Sequence, residues 1–172
     1  PQVRELIERR GDMRPVQALE PLAKSAIVLG CDGMLVSHFR VVARLADYGF
    51  FKAGGVLVHT HAFLAFGNML GVRWGDASRT QGVDFAHAGK NLAIALPSSL
   101  EIDTQAAIHS LQMGFLPLTG IDGRAGASWL SARDPDFQLD FLTTLHRGGD
   151  AALRHAPLGI LLQPPKFMEC LL

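Results

Sequence analysis

The sequence predicts a mixed domain of the α/β or α+β class, with a mixed β-sheet flanked by helices and preceded by N-terminal helices. Three observations carry this expectation. Apolar side chains in the first fifty residues recur at the spacing of helices, the period changes at Gly54 to short apolar runs of strand type, and strands then mix with helical stretches. The 172 residues match one ordinary domain of roughly 100–150 residues. Residues 1–50 read as a helical segment packed on a core formed by residues 51–172.

The elements follow in order. Arg4–Arg10 is a short charged helix, Pro15 suits the first turn of the next, and Gly30 stops it after Ala26-Ile27-Val28-Leu29. In the third helix Leu35, Phe39, Val42 and Ala46 recur as one buried face, His38, Arg40 and Arg44 fall elsewhere, and Gly49 is the C-cap. Gly55-Val56-Leu57-Val58 reads as a short buried strand, and Thr60 as the N-cap of a helix over Ala62–Leu70 in which Phe63, Phe66 and Leu70 share a face. Val72-Arg73-Trp74 and Val83-Asp84-Phe85 are strand candidates on either side of a polar loop, Gly75–Gln81. Asp103–Gln112 has helical spacing through Ala107, Ile108 and Leu111, and Gly114 separates it from a strand over Phe115–Leu118. Two further strands, Ala127–Ser131 and Phe137–Leu142, flank the turn-forming Arg133-Asp134-Pro135-Asp136.

Composition narrows the function classes. An apolar share of 48%, a charged share of 19% and a formal net charge of zero describe a globular protein with no global attraction for nucleic acid or membrane. Local basic stretches, Arg40–Arg44 and Arg73–Arg79, are the exceptions. Cys31 and Cys170 sit near opposite ends and form neither a metal pair nor a disulfide framework, which fits a reducing cytoplasm. No run of about 18 apolar residues is present to span a bilayer. The start at Pro1 without Met, and the stop inside a helix-like Pro165–Leu172, read as part of a longer protein.

Chemistry is best sought where strands present carboxylates beside a strand-to-helix turn. The period of two sends Val83 and Phe85 to one side and positions 82, 84 and 86 to the other; likewise Phe137, Leu139 and Phe141 turn inward and Asp140 outward. Asp84 and Asp140 are therefore expected to meet on adjacent strands. Two carboxylates so close repel each other and are usually tolerated with a cation between them.

These segments carry a resemblance. Gly54-Gly55-Val56-Leu57-Val58-His59-Thr60-His61-Ala62-Phe63, followed by Thr80-Gln81-Gly82-Val83-Asp84-Phe85, resembles the strand–turn–helix and Asp-x-Asp strand of the DNA polymerase β nucleotidyltransferase superfamily. It is most similar to a bacterial nucleotidyltransferase-like family whose turn reads Gly-Thr-x-Ala and whose strand reads Thr-Gln-Asp-h-Asp-Phe, with h apolar. The likeness continues through Gly114-Phe115, Leu139-Asp140-Phe141-Leu142-Thr143 and Pro164-Pro165-Lys166-Phe167-Met168, covering roughly Met34 to Leu172. The resemblance implies a polymerase β-type core and Mg²⁺-dependent transfer of NMP from an NTP to a hydroxyl on a small molecule, RNA or protein. Toxin–antitoxin roles and protein partners also occur in the superfamily. By position, Asp84 and Asp140 match the second and third metal-binding carboxylates, and Thr60 the hydroxyl beside the nucleotide phosphates at a helix N-terminus. His59 occupies the phosphate-side turn, and Arg79 flanks the carboxylate strand as a candidate for the triphosphate charge.

Two positions depart from the family pattern. Gly82 stands where the first carboxylate belongs and His59 where the family has glycine. The first carboxylate is the one expected to touch both metals, so the sequence points to an enzyme inactive as written, with a pseudo-enzyme that binds a nucleotide or protein as the alternative. A separate alternative is a transition-metal set of His59, His61 and Asp84, which requires both rings to face one way; His61 is expected to begin the helix and point elsewhere. His38, His87, His109, His146 and His155 read as isolated surface or satisfied histidines, Trp74 and Trp129 as packing residues, Arg73 and Lys90 as solvated loop charges, and Ser98-Ser99 as a helix start.

Overall fold

The computed structural model describes residues 21–73, 80–87, 101–119, 125–144 and 151–165. The expected helices Arg4–Arg10 and Pro165–Leu172, and the readings of Trp74, Arg79, Lys90, Ser98-Ser99 and His146, fall partly or wholly outside them. The chain divides into two compact units, Pro1–Gly33 with Leu64–Ser78, and Met34–Phe63 with Arg79–Leu172.

In the first unit a helix, α1, covers residues 21–28 and ends in a turn at Gly30, as the sequence leads one to expect. The amide of Asn68 ties the following segment back: its Oδ1 accepts from the Asp32 backbone N–H at 2.8 Å and its Nδ2 donates to the Asp32 carbonyl at 2.9 Å. Residues 72 and 73 are irregular rather than strand. Two residues of β-propensity without an alternating continuation do not make a ladder.

The second unit is a mixed α+β core. Helix α2 spans Val36–Asp47, and its end is a full Schellman motif: the N–H of Gly49 bonds to the carbonyl of Ala46 and that of Phe50 to Leu45, with Gly49 at φ 86. The buried face of α2 differs from the expected one. His38, Val41 and Leu45 are buried, whereas Leu35 and Phe39 are 61% and 59% exposed. The stripe is displaced by one residue, about 100° of helix rotation. The cause is His38, which is accommodated inside because it has partners there, described below.

Strand β1, Val56–Leu57, is shorter and less buried than expected, because it lies at the sheet edge with Val56 on the outside. Helix α3, His59–Leu70, follows after a single residue. It buries His61 and Leu64, while Phe63, Phe66 and Leu70 share an exposed face. Strand β2 is Gly82–His87, α4 Thr104–Ser110, β3 Phe115–Thr119, β4 Ala125–Ser131 and β5 Gln138–Thr143. The Asp103 carboxylate caps α4 by accepting from the Ala106 N–H at 2.9 Å. The sequence reading contained no counterpart of the hairpin β6 Leu153–His155 and β7 Ile160–Leu162, joined by a 3₁₀ turn Ala156–Leu158.

The five-stranded sheet runs β1-β2-β5-β4-β3; β2 and β5 are parallel and the other neighbours antiparallel. A parallel pair needs a long crossover, which the residues between β2 and β5 provide. One face of the sheet is apolar. Val83, Phe85, Leu139 and Phe141 pack there with Val41 and Leu45 of α2, Ala107 and Ile108 of α4, and Leu111 at its C-cap. Phe85 and Phe141 stack with ring centres 5.4 Å apart, and Phe50 meets both edge-on. The other face begins polar at Gly82 and Asp84 but closes over at Ala86, which with Val58 and Leu142 forms a second small apolar cluster. The alternation therefore opens one end of this face only.

Phe85→Ala is expected to lower unfolding free energy by about 3–5 kcal/mol, since the ring is fully buried and leaves a cavity. Val56→Ala, at the edge, should change it by less than about 0.5 kcal/mol. Urea unfolding of both variants checks the pair, and equal effects would contradict the placement of the core.

Candidate active site

The polar end of the sheet holds the expected carboxylates. Parallel pairing sets Gly82 opposite Gln138 and Asp84 opposite Asp140, and antiparallel pairing sets Ser128 of β4 opposite Asp140. Residues directly opposite on neighbouring strands point to the same face, so Ser128, Asp140 and Asp84 form one row across three strands. At its end the backbone N–H of Val58 bonds to the Asp84 carbonyl at 3.0 Å, fixing the turn into α3 beside the row.

His59 is the first residue of α3 and holds a left-handed backbone, φ 55. Glycine adopts that conformation without cost, whereas a Cβ makes it unfavourable by about 1–2 kcal/mol. The glycine that the resemblance implies at this position thus has a conformational reason. The imidazole that replaces it reaches the acid row: His59 Nδ1 lies 3.2 Å from Asp84 Oδ2. Thr60 belongs to the first turn of α3, not to its cap as the sequence led one to expect, because the helix starts at His59, three residues before the expected Ala62.

Asp140 is equally engaged. Gln138 Nε2 donates to both of its oxygens, at 2.8 and 2.9 Å, and Ser128 Oγ donates to Oδ1. Burial pushes the Asp84 carboxyl above its ordinary range, against the lowering effect of His59; the neighbouring Asp140 adds to the rise. Gln138 and Ser128 were missed by the sequence reading. A signal existed for Gln138, which precedes Asp140 by two residues and so shares its face. Ser128 required the β4–β5 register.

The His59, His61, Asp84 alternative does not assemble. His61 is buried with its Nε2 3.0 Å from His38 Nδ1, and among the described residues it does not join His59 and Asp84 in a group of three ligands. Nor are His38, His87 and His155 isolated as expected. His38 also packs against Phe137, the tilted rings 4.7 Å apart, and the rings of His87 and His155 sit 4.1 Å apart. Apolar periodicity has no means of registering such pairs. Arg79 lies outside the described residues.

The sheet order, with two acids abreast on its central parallel strands and a helix entering at their edge, defines a nucleotidyltransferase-type core. A nucleotidyltransferase family model matches residues 37–172, and the chain belongs to that family. No curated protein and no solved structure matches it. Among the described residues no helix is long and apolar enough to cross a membrane.

The resemblance implies a metal pair held by three carboxylates, and the donor set does not fit it. Gly82 offers no ligand, and the two remaining acids already accept from His59, Gln138 and Ser128. Among the described residues no group of three histidine, cysteine or acidic side chains is placed around one point.

Proposed function

We propose that this chain is a pseudo-nucleotidyltransferase: it keeps the fold of NMP transfer from NTP to a hydroxyl acceptor but binds a nucleotide without turning it over. The observation that supports this reading is the engagement of both carboxylates by protein donors beside Gly82. Transfer of a nucleotidyl group leaves negative charge on the departing pyrophosphate, and a site lacking its bridging carboxylate and its free acid oxygens has little to stabilise that charge. The N-terminus of the 12-residue α3, with Thr60 in its first turn, is the part of the site suited to phosphate oxygens, through helix N–H groups and the helix dipole.

The expected behaviour is weak nucleoside triphosphate binding, in the high-micromolar to millimolar range, altered no more than a few-fold by Mg²⁺ and accompanied by no pyrophosphate release. Isothermal titration with and without Mg²⁺, alongside a pyrophosphate assay, tests it. Mg²⁺-dependent turnover by the unaltered chain would overturn the pseudo-enzyme reading. No binding of any NTP would leave a protein partner as the function of the fold.

A further inference from the structure

The row of side chains around the acids says more than that a ligand is missing. His59 is held in a backbone conformation that histidine does not prefer, and its ring nevertheless comes to rest on Asp84. The amide nitrogen of Gln138 straddles both oxygens of Asp140, and Ser128 reaches the same group from the neighbouring strand. The amide can face a carboxylate only with its nitrogen, since its oxygen would be repelled. Gln138 also belongs to the register position opposite Gly82, so the strand that lost an acid faces the residue that now covers another.

We propose that His59, Gln138 and Ser128 act as a built-in substitute for the metal ions, so that the folded chain takes up no divalent cation at Asp84 and Asp140 while all three donors are in place. Magnesium asks for near-octahedral oxygen coordination and gives up its water reluctantly. To bind here it would have to displace donors from both carboxylates at once. The displaced groups are tethered beside the acids and compete at high local concentration. The third carboxylate that would repay the displacement is replaced by Gly82. The two aspartates, set opposite each other by the strand register, are otherwise mutually repulsive, and these three donors relieve that repulsion without an ion. His59 is the releasing position, because glycine accepts φ 55 freely and its removal frees Asp84 without disturbing a strand.

This inference rests on the pseudo-nucleotidyltransferase reading for its view of the acid row, but its test contains no nucleotide, so the two can fail separately. Free Mn²⁺, a spectroscopic stand-in for Mg²⁺, is titrated by electron paramagnetic resonance into the whole chain, His59→Gly, Gln138→Ala and His59→Gly/Asp84→Asn. Thermal melts accompany each protein. The unaltered chain is expected to show no saturable binding to about 1 mM, near the weak end of protein cation sites. His59→Gly should bind one equivalent at least tenfold more tightly, Gln138→Ala should move in the same direction, and adding Asp84→Asn should abolish the gain. Stoichiometric binding by the unaltered chain that Asp84→Asn removes would overturn the proposal. So would a folded His59→Gly that binds no better than the unaltered chain. If His59→Gly fails to fold, Gln138→Ala decides, and its failure to gain affinity overturns the proposal.

Discussion

Gly82→Asp combined with His59→Gly is expected to raise Mg²⁺-dependent NTP consumption from background by at least about 10²–10³-fold, the typical weight of a positioned electrostatic group in a transition state. The reasoning treats the two positions as one device. Aspartate at 82 would join Asp84 and Asp140 on the same face, since positions 82 and 84 share the period of two. Glycine at 59 would free Asp84 and relax the left-handed turn. A Cβ at position 82 would sit 3.1 Å from the Gln138 carbonyl, so the neighbouring strand must give by a few tenths of an ångström. That makes the cost a modest loss of stability, not a loss of fold. Gly82→Asp alone should stay near background because His59 still occupies Asp84. Pyrophosphate release over a panel of NTPs and hydroxyl acceptors, with NTP binding followed in parallel, reads the outcome. A folded double variant that neither binds Mg·NTP nor consumes it would refute an enzymatic ancestry for the site.

Acid is expected to unfold this protein through its buried and half-buried histidines. Burial pushes His61 down to about 4, with the charge of His38 adding to the effect, and His155 to about 4, with His87 adding. His38 and His87 are lowered by burial too, opposed by Asp134 and by the Ala53 carbonyl respectively. Above pH 6.5 all four are neutral folded or unfolded, so their contribution is fully present. As pH falls below 6.5 the unfolded chain takes up protons first, and stability is lost until the lowered folded values are passed, near 4 for His61 and His155. For His61 alone the difference between 6.5 and about 4 corresponds to on the order of 3 kcal/mol, a large part of the roughly 5–15 kcal/mol that holds a domain folded. Asp84 works in the opposite sense. Its raised carboxyl takes a proton more readily folded than unfolded, so it regains stability near the bottom of the window. Denaturant unfolding at pH 7.5, 6, 5 and 4.5 should show the loss, and His61→Gln should reduce its slope. A flat profile from pH 7 to 5 would contradict the buried placement of these rings.

Most of the sheet was legible because its strands alternate cleanly. Val83 and Phe85, and Leu139 and Phe141, announced a shared apolar face, and the opposite positions announced Asp84 and Asp140. The Schellman end of α2 followed from Gly49, and the stop before β3 from Gly114. What stayed hidden depended on partners distant in sequence. The α2 stripe was misplaced by one residue because nothing local tells that His38 meets His61 and Phe137. Thr60 reads as a cap in the sequence because histidine at a left-handed first position is not a start signal. Gln138 and Ser128 acquire meaning only once β5 has neighbours on both sides. The hairpin β6–β7 has three-residue strands, too short for a period to declare itself.

The parallel pairing of β2 with β5 also bears on how the chain reaches its fold. Hairpin partners such as β4 and β5 are joined by a short turn, whereas Gly82 and Gln138 meet only after the intervening chain has closed a long loop. Loop closure makes such contacts slow and late relative to local ones. A slip of one residue there would bury Asp140 and turn Phe141 to water, so the phenylalanine layer beneath guards the register while the acids above are still apart. The acid row is thus expected to be a late feature of folding, and His59, already waiting at the turn, meets Asp84 as soon as the strand arrives.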